Sequence, residues 1–309
     1  MNITREKIFL ISALVLFFGG TLILKTVWFG EPEVVSPGPY SDSGVERIIS
    51  LAPSLTETAF LLGLGDRLVG VTVFCKHPPE AESIEKVGGY STPDFEKIVL
   101  LKPDIILMMT EHKYAGLDKK FASLNIPVLM VSTDSVDLII DSILKIGNRC
   151  GASPRAESLA RHLQHKLNDV TSKSFDVKPR VLITVGKNMG SGGMKSAFAA
   201  GEGTYYDDLI QLAGGVNATP ESPKEYANLS GEDILRADPD VIIDIVPDLE
   251  KKRIPEVIQA WKRIPHLKAV ETGNIFVFTE EYTARPGPSF INVLEDIQEC
   301  LITWNRSTR

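Results

Sequence analysis

Cysteine is scarce in this 309-residue chain, with only Cys75, Cys150 and Cys300. Three cysteines so far apart supply neither a disulfide framework nor a CxxC metal knuckle. The five histidines include no His-Glu-x-x-His pair, and no Gly-x-Ser-x-Gly elbow occurs, so zincin and serine-hydrolase signatures are absent. Positive charge is not in excess: 33 basic against 40 acidic residues give a net of −7, which excludes a broad nucleic-acid-binding surface. What remains is an ordinary globular composition, 43% hydrophobic and 24% charged. At about 150 residues per domain the length suits two domains, and it suffices to bury a sizeable core.

The amino terminus sets the compartment. Ile8 to Leu24 is an uncharged, apolar run preceded by Arg5 and Lys7, and Val27, Trp28 and Phe29 extend it past Lys25. Spanning a bilayer takes about 20 residues, which Ile8 to Phe29 supplies with Lys25 snorkelling. A cleaved signal has a shorter apolar region, about 7–15 residues, and a small-residue cleavage site. The sequence Lys25-Thr26-Val27-Trp28-Phe29-Gly30 is a poor one. The expectation is an uncleaved signal-anchor, with a cleaved signal and secretion as the alternative; the bulk of the chain is exported either way. The first cysteine, Cys75, is too far along for a lipoprotein. Setting aside residues 1–29, with three basic and one acidic residue, leaves 30 basic against 39 acidic, a net of −9. Residues 30–44, with three prolines, three glycines and three serines, read as a flexible tether.

The body alternates short apolar strands with amphipathic helices, the pattern of a parallel sheet covered on both faces. Strands are expected at Arg47-Ile48-Ile49-Ser50-Leu51, Leu68 to Val71, Lys102 to Met108 and Pro127 to Val131. A second set falls at Arg180 to Val185, Val241 to Ile245 and Asn274 to Phe278, with helices at Tyr205 to Ala213 and Ser289 to Trp304. An internal repeat is visible. Glu96-Lys97-Ile98 precedes Pro103-Asp104-Ile105-Ile106 at the spacing by which Glu232-Asp233-Ile234 precedes Pro239-Asp240-Val241-Ile242. Between the halves, Ser153-Pro154 opens a helix whose stripe is Ala156, Leu159, Ala160, Leu163, Leu167 and Val170. The fold expected is α/β: two Rossmann-like lobes, each with a mostly parallel sheet, joined by one long helix that limits hinge closure. The boundaries expected are residues 45–150 for the first lobe, 151–178 for the linking helix and 179–309 for the second, after the membrane segment 1–29 and the tether.

Candidate chemistry is sparse. The run Gly186 to Ser196 approaches a phosphate loop but has Met194 where glycine must precede Lys-Ser. Following a strand, it reads as a ligand-facing loop at the sheet's carboxyl edge. His162 and His165 lie off the linking helix's apolar stripe and suit a solvated face. Cys75 and His77 make a weak metal pair but reasonable cleft-wall residues, and His77 with His112 falls short of a filled zinc site. Phe74, His77, Tyr90, Tyr205, Tyr282 and Arg285 fall in loops expected at the strands' carboxyl ends, where open α/β sheets bind ligands. As a set they suit a large, flat, partly polar ligand.

The ordered string Arg47-Ile48-Ile49-Ser50-Leu51-Ala52-Pro53-Ser54-Leu55-Thr56-Glu57, Val69-Gly70-Val71, Pro78-Pro79, Val87-Gly88-Gly89-Tyr90, Lys102-Pro103-Asp104-Ile105-Ile106 and Leu229-Ser230-Gly231-Glu232-Asp233-Ile234 resembles the periplasmic binding proteins for vitamin B12 and ferric siderophores. The resemblance covers about residues 45 to 304. It implies two lobes on one helix and a non-catalytic, monomeric component that hands a metal chelate to an ABC permease and its ATPase. No nucleic acid and no resident cofactor are expected, and no metal bound directly by the protein. It implies that Glu96 and Glu232 dock the permease, although an exposed carboxylate at a helix start also suits the helix dipole. It implies that Pro53, Phe74, His77, Tyr90, Met194, Tyr205, Tyr282 and Arg285 line the cleft. The cargo is a corrinoid by slight preference, or an iron–siderophore or haem-like chelate that Lys76, Lys187, Lys195 and Arg285 would attract. Alternatives from other classes are an α/β enzyme acting on a metal chelate and a tethered sensor or adaptor that does not transport. The location implied is the extracytoplasmic face of the inner membrane, with residues 8–29 as the anchor.

Overall fold

The computed structural model describes residues 44–110, 116–172, 175–190, 193–219 and 225–308. The expected membrane segment and most of the tether lie outside these residues. Among the described residues no helix is long and apolar enough to cross a membrane.

The first half runs β1 (Ile48–Ser50), α1 (Pro53–Leu61), β2 (Leu68–Val71), α2 (Phe95–Leu101), β3 (Ile105–Met109), α3 (Leu117–Ser123), β4 (Val128–Val131) and α4 (Val136–Arg149). Its sheet has the order β2-β1-β3-β4, all parallel. Helix α5 (Ser153–Thr171) then leads to the second half, with Ala152 rather than Ser153 as its N-cap. Its buried stripe is Ala156, Ala160, Leu163, Leu167 and Val170, as the spacing predicts, with Leu159 half-buried.

The second half runs β5 (Arg180–Gly190), β6 (Gly193–Ala200), α6 (Tyr205–Leu212), β7 (Val216–Asn217), β8 (Tyr226–Ser230), α7 (Gly231–Ala237), β9 (Val241–Ile245), α8 (Ile254–Trp261), α9 (Lys268–Glu271), β10 (Ile275–Phe278) and α10 (Phe290–Ser307). Strand order is β10-β9-β5-β6-β8, with β7 also on β5. Pairings of β5 with β7 and β9, and of β9 with β10, are parallel; β5–β6 and β6–β8 are antiparallel. A mostly parallel sheet is therefore correct for the first half, while the second is mixed. The glycine-rich run is the cause: it forms a β-hairpin, not a loop, so β5 continues through Gly190 and returns as β6.

Strand alternation distributes the core. Ile48, Ile105, Leu107, Val181, Ile183, Val241 and Ile243 point into one central core shared by both halves. Their neighbours point outward: Ile49, Ile106 and Met108 under α2 and α3, and Leu182 and Ile242 under α8. Both faces of each sheet are thus buried, which is why these strands read as unbroken apolar runs. Helices α5, α6 and α10 belong to the shared core, so the halves meet through packed side chains as well as through the linking helix. Gly147 of α4 permits one such close approach: a Cβ there would sit 2.3 Å from Ala156 Cβ of α5.

Candidate functional site

Each half is braced at the amino end of its first strand. Asp104 Oδ2 accepts from the Arg47 amide at 2.8 Å, and the Arg47 guanidinium donates to the Leu101 carbonyl at the end of α2. Asp240 Oδ2 accepts from the Arg180 amide at 2.8 Å, and the Arg180 guanidinium donates to Ala237 O at the end of α7. With their amino ends tied, the strands present their carboxyl ends, where the intervening loops gather.

At that edge α1 meets the segment before α10. Gly287 allows close approach, since a Cβ there would lie 3.0 Å from Ser54 Cβ. Glu57, on α1 and 4% exposed, faces Arg285, itself 6% exposed, with Oε2 to Nε at 2.9 Å. This is a close charge contact rather than a well-directed hydrogen bond, because neither atom has a partner of good geometry. Arg285 also reaches Glu281 at 3.3 Å, and Glu57 accepts from the Ser289 hydroxyl. Burial pushes the half-buried His77 below its ordinary value, Arg285 pushes it further, and Glu57, Glu281 and Glu80 oppose. Tyr205 is 2% exposed and stacks edge-on against Tyr206 at 5.0 Å, and its hydroxyl has no hydrogen-bond partner among the described residues. Burial raises its phenol.

Other expected cleft residues are placed around this cluster. Pro53 opens α1 and is half-buried, and Phe74 is 55% exposed. The Tyr90 hydroxyl donates to Met109 Sδ at 3.9 Å. Tyr282 donates to Asp296 at 2.6 Å, and burial with that carboxylate raises it. Met194 lies on β6 with its side chain outside the described set, and His112 lies outside the described residues. Cys75 is a correction. It is fully buried, with Sγ within 3.2 Å of the Thr56 and Thr72 hydroxyls, so it is not a cleft-wall residue. His162 and His165 are exposed on α5. Among the described residues no three His, Cys, Asp or Glu side chains converge as a metal site.

The cations expected to attract an anion are mostly answered by carboxylates. Lys187 pairs with the buried Asp244, Lys76 lies 3.8 Å from Asp248 across the two halves, and Arg285 has Glu57 and Glu281. Lys195 is exposed. Sequence reasoning missed Glu57 and Asp244, yet both carry a signal. An acid within the buried stretch Leu55-Thr56-Glu57-Thr58-Ala59, or within Ile242-Ile243-Asp244-Ile245, requires a nearby cation or donors.

Glu96 and Glu232 occupy matched positions in the first turns of α2 and α7, and both are exposed. The capping bonds are made by others: Asp94 accepts from the Lys97 amide, and Ser230 and Asp233 form a reciprocal capping box.

The family model described as periplasmic binding protein matches residues 48–282. The chain is 28% identical, over 83% of its length and 80% of the relative's, to an uncharacterized ABC transporter substrate-binding lipoprotein of Bacillus subtilis. It is 27% identical to a vitamin B12-binding protein of Vibrio cholerae, over 89% of this chain and 95% of that one. The solved periplasmic vitamin B12-binding protein of Vibrio cholerae superposes with a TM-score of 0.71 at 26% identity, covering 84% and 98% of the two chains. A periplasmic heme-binding protein of Vibrio cholerae shares the fold, with a TM-score of 0.69 at 23% identity over 82% and 98%. The two α/β halves on one helix and the match over residues 48–282 make the chain a member of the periplasmic binding protein family, a non-enzymatic substrate-binding component of ABC importers.

Proposed function

We propose that this protein captures a corrinoid at the joined carboxyl edges of its two sheets and delivers it to an ABC permease. The observation that carries the choice is the neutralisation of the edge: Arg285, Lys187 and Lys76 each face a carboxylate. A dianionic haem or an anionic ferric siderophore needs uncompensated cations to offset its desolvation. A neutral, amide-bearing corrinoid needs aromatic surface and mixed donors and acceptors, which Phe74, His77, Tyr90, Tyr282 and the Glu57–Arg285–Glu281 cluster supply. Pro53, Tyr205 and Met194 complete the lining in this reading. The likeness to vitamin B12-binding proteins along nearly the whole chain supports it. The corrinoid is cargo, and no resident cofactor is required.

Glu96 and Glu232 would contact basic residues of the permease. Both are exposed, and the capping bonds of their helices fall to Asp94, Ser230 and Asp233, which leaves their carboxylates facing outward at matched positions. Residues 8–29 would hold the protein at the outer face of the inner membrane, as a monomer on its tether.

Calorimetric titration of residues 44–309 with cyanocobalamin, a ferric siderophore and haem tests the ligand. One-to-one binding of cyanocobalamin, at least about tenfold tighter than either rival, is expected. Tight binding of haem or the siderophore without the corrinoid would overturn the assignment.

A further inference from the structure

The hairpin formed by the glycine-rich run projects from the second sheet toward the ligand edge. The last β5–β9 pair is Thr184 with Asp244, and β9 ends at Ile245. Because the two strands are parallel, Val185 is level with Ile245 and Gly186 to Gly190 continue past the carboxyl edge, by about 17 Å at 3.4 Å per residue. Strand β8 backs β6 as far as Ser196, which faces Asn188, so the overhang is three-stranded up to Asn188 and two-stranded only at its tip. Its pairing slips at two places, between Thr184 and Gly186 and between Asn188 and Met189. Such bulges bend a strand and increase its twist. The first bend lies where β5 leaves β9, so pairing with β6 and β8 holds the overhang together but does not by itself set its direction relative to β9.

Lys187 lies between the two bends, opposite Ala197. In a regular strand Thr184 and Lys187 would point to opposite faces; the first bulge adds the residue that brings both to Asp244. That carboxylate is fully buried and accepts from Thr184 Oγ1 at 3.1 Å, from Trp261 Nε1 at 2.8 Å, and from Lys187. Thr184 and Trp261 belong to the sheet and its covering helix. Of the three donors, Lys187 is the one that ties the arm to them. A buried ion pair is a poor source of stability, since well-packed apolar residues often do as well. What the pair supplies is an orientation.

We propose that Lys187 is a positioning residue: its pairing with Asp244 fixes, between the two bulges, the direction in which the β5–β6 arm overhangs the edge where cargo is held. The ligand part of this inference rests on the corrinoid reading; the mechanical part does not.

The test compares the full-length chain in detergent with the double variant Lys187→Met/Asp244→Asn and with Lys187→Arg. The double variant removes both charges together, so no lone buried charge unfolds the lobe; the carboxamide oxygen can still accept from Trp261 Nε1, and the amide NH2 can donate to the Thr184 hydroxyl, which reverses its role from donor to acceptor. Amide hydrogen exchange of residues 186–190 and 193–197 should quicken about tenfold in the double variant, with Ile242, Ile243 and Trp261 unchanged. Its affinity for cyanocobalamin should fall about tenfold, and Lys187→Arg should stay within about twofold of the parent in both readouts. Unchanged exchange in the arm, or exchange that quickens equally through β9 and α8, overturns the proposal. If the parent protein binds no cyanocobalamin while the exchange behaves as expected, the corrinoid reading has failed and the mechanical role stands.

Discussion

In the first half Arg47 begins β1, hangs on Asp104 and closes the end of α2; in the second, Arg180 begins β5, hangs on Asp240 and closes the end of α7. The agreement extends to the turns: Lys102 and Asp238, the residues after each helix, both take left-handed backbone, with φ of 46° and 40°. It extends to topology as well. Strands β7, β5, β9 and β10 stand in the parallel order of β2, β1, β3 and β4. The difference is an insertion. Strand β7 holds β5 only at Arg180 and Val181, and from Thr184 onward β6 occupies that edge, backed by β8. One half remains a plain four-stranded sheet, while in the other most of the parallel neighbour is replaced by an arm that runs past the carboxyl edge. The shared frame holds the braces that tie each sheet's amino ends, and the unshared part is an arm that the first half lacks.

The strongest effect expected tests whether the halves are equal at the permease. Reversing both glutamates, Glu96→Lys with Glu232→Lys, should reduce corrinoid uptake by cells to background while calorimetric affinity stays within about twofold. Each single reversal should retain partial uptake. Loss of ligand affinity in the double variant would remove these residues from the docking role.

Next in size is the seam, where the halves are unlike. Glu57→Ala leaves Arg285, 6% exposed, with Glu281 alone, and should cost about 3 kcal/mol in urea unfolding, as expected for breaking a buried pair. The braces follow. Asp240 is 6% exposed and also pairs with Lys268, whereas Asp104 is half-buried. Asp240→Ala should therefore cost about 2 kcal/mol and Asp104→Ala about 1 kcal/mol. Equal costs would mean that the two braces are equivalent despite their different burial.

Much of the frame is readable from the sequence because repetition and burial leave local marks. Runs such as Ile105-Ile106-Leu107-Met108 are apolar at every position since both sheet faces are covered, and Pro-Asp recurs because the aspartate braces the first strand of its half. The arm left weaker marks. Gly186 to Ser196 has the glycine content of a loop, and pairing across a hairpin is not encoded in either strand's periodicity when Lys187, Asn188, Lys195 and Ser196 are polar. Tyr205 and Arg285 read as open loop residues, yet both are buried; Arg285 is met by Glu57, far away in sequence, and Tyr205 lies in the core shared by both halves. Contacts with that separation are set by tertiary packing and have no local signature.

The smallest effect concerns His77, in the loop after β2; the matched strand β7 is followed by Ala218 and Thr219 instead. Burial and Arg285 hold the His77 imidazole below its usual value, against Glu57, Glu281 and Glu80. In the unfolded chain it takes its proton near the ordinary value of about 6.5. Just below that pH the unfolded state therefore binds more protons than the folded state, and stability falls as pH falls until the folded-state value is passed. The urea midpoint of the parent should drop more steeply between pH 7.5 and pH 5 than that of His77→Gln. Parallel slopes would show that His77 gains its proton equally in both states, so that the carboxylates on the seam cancel the burial and the arginine beside it.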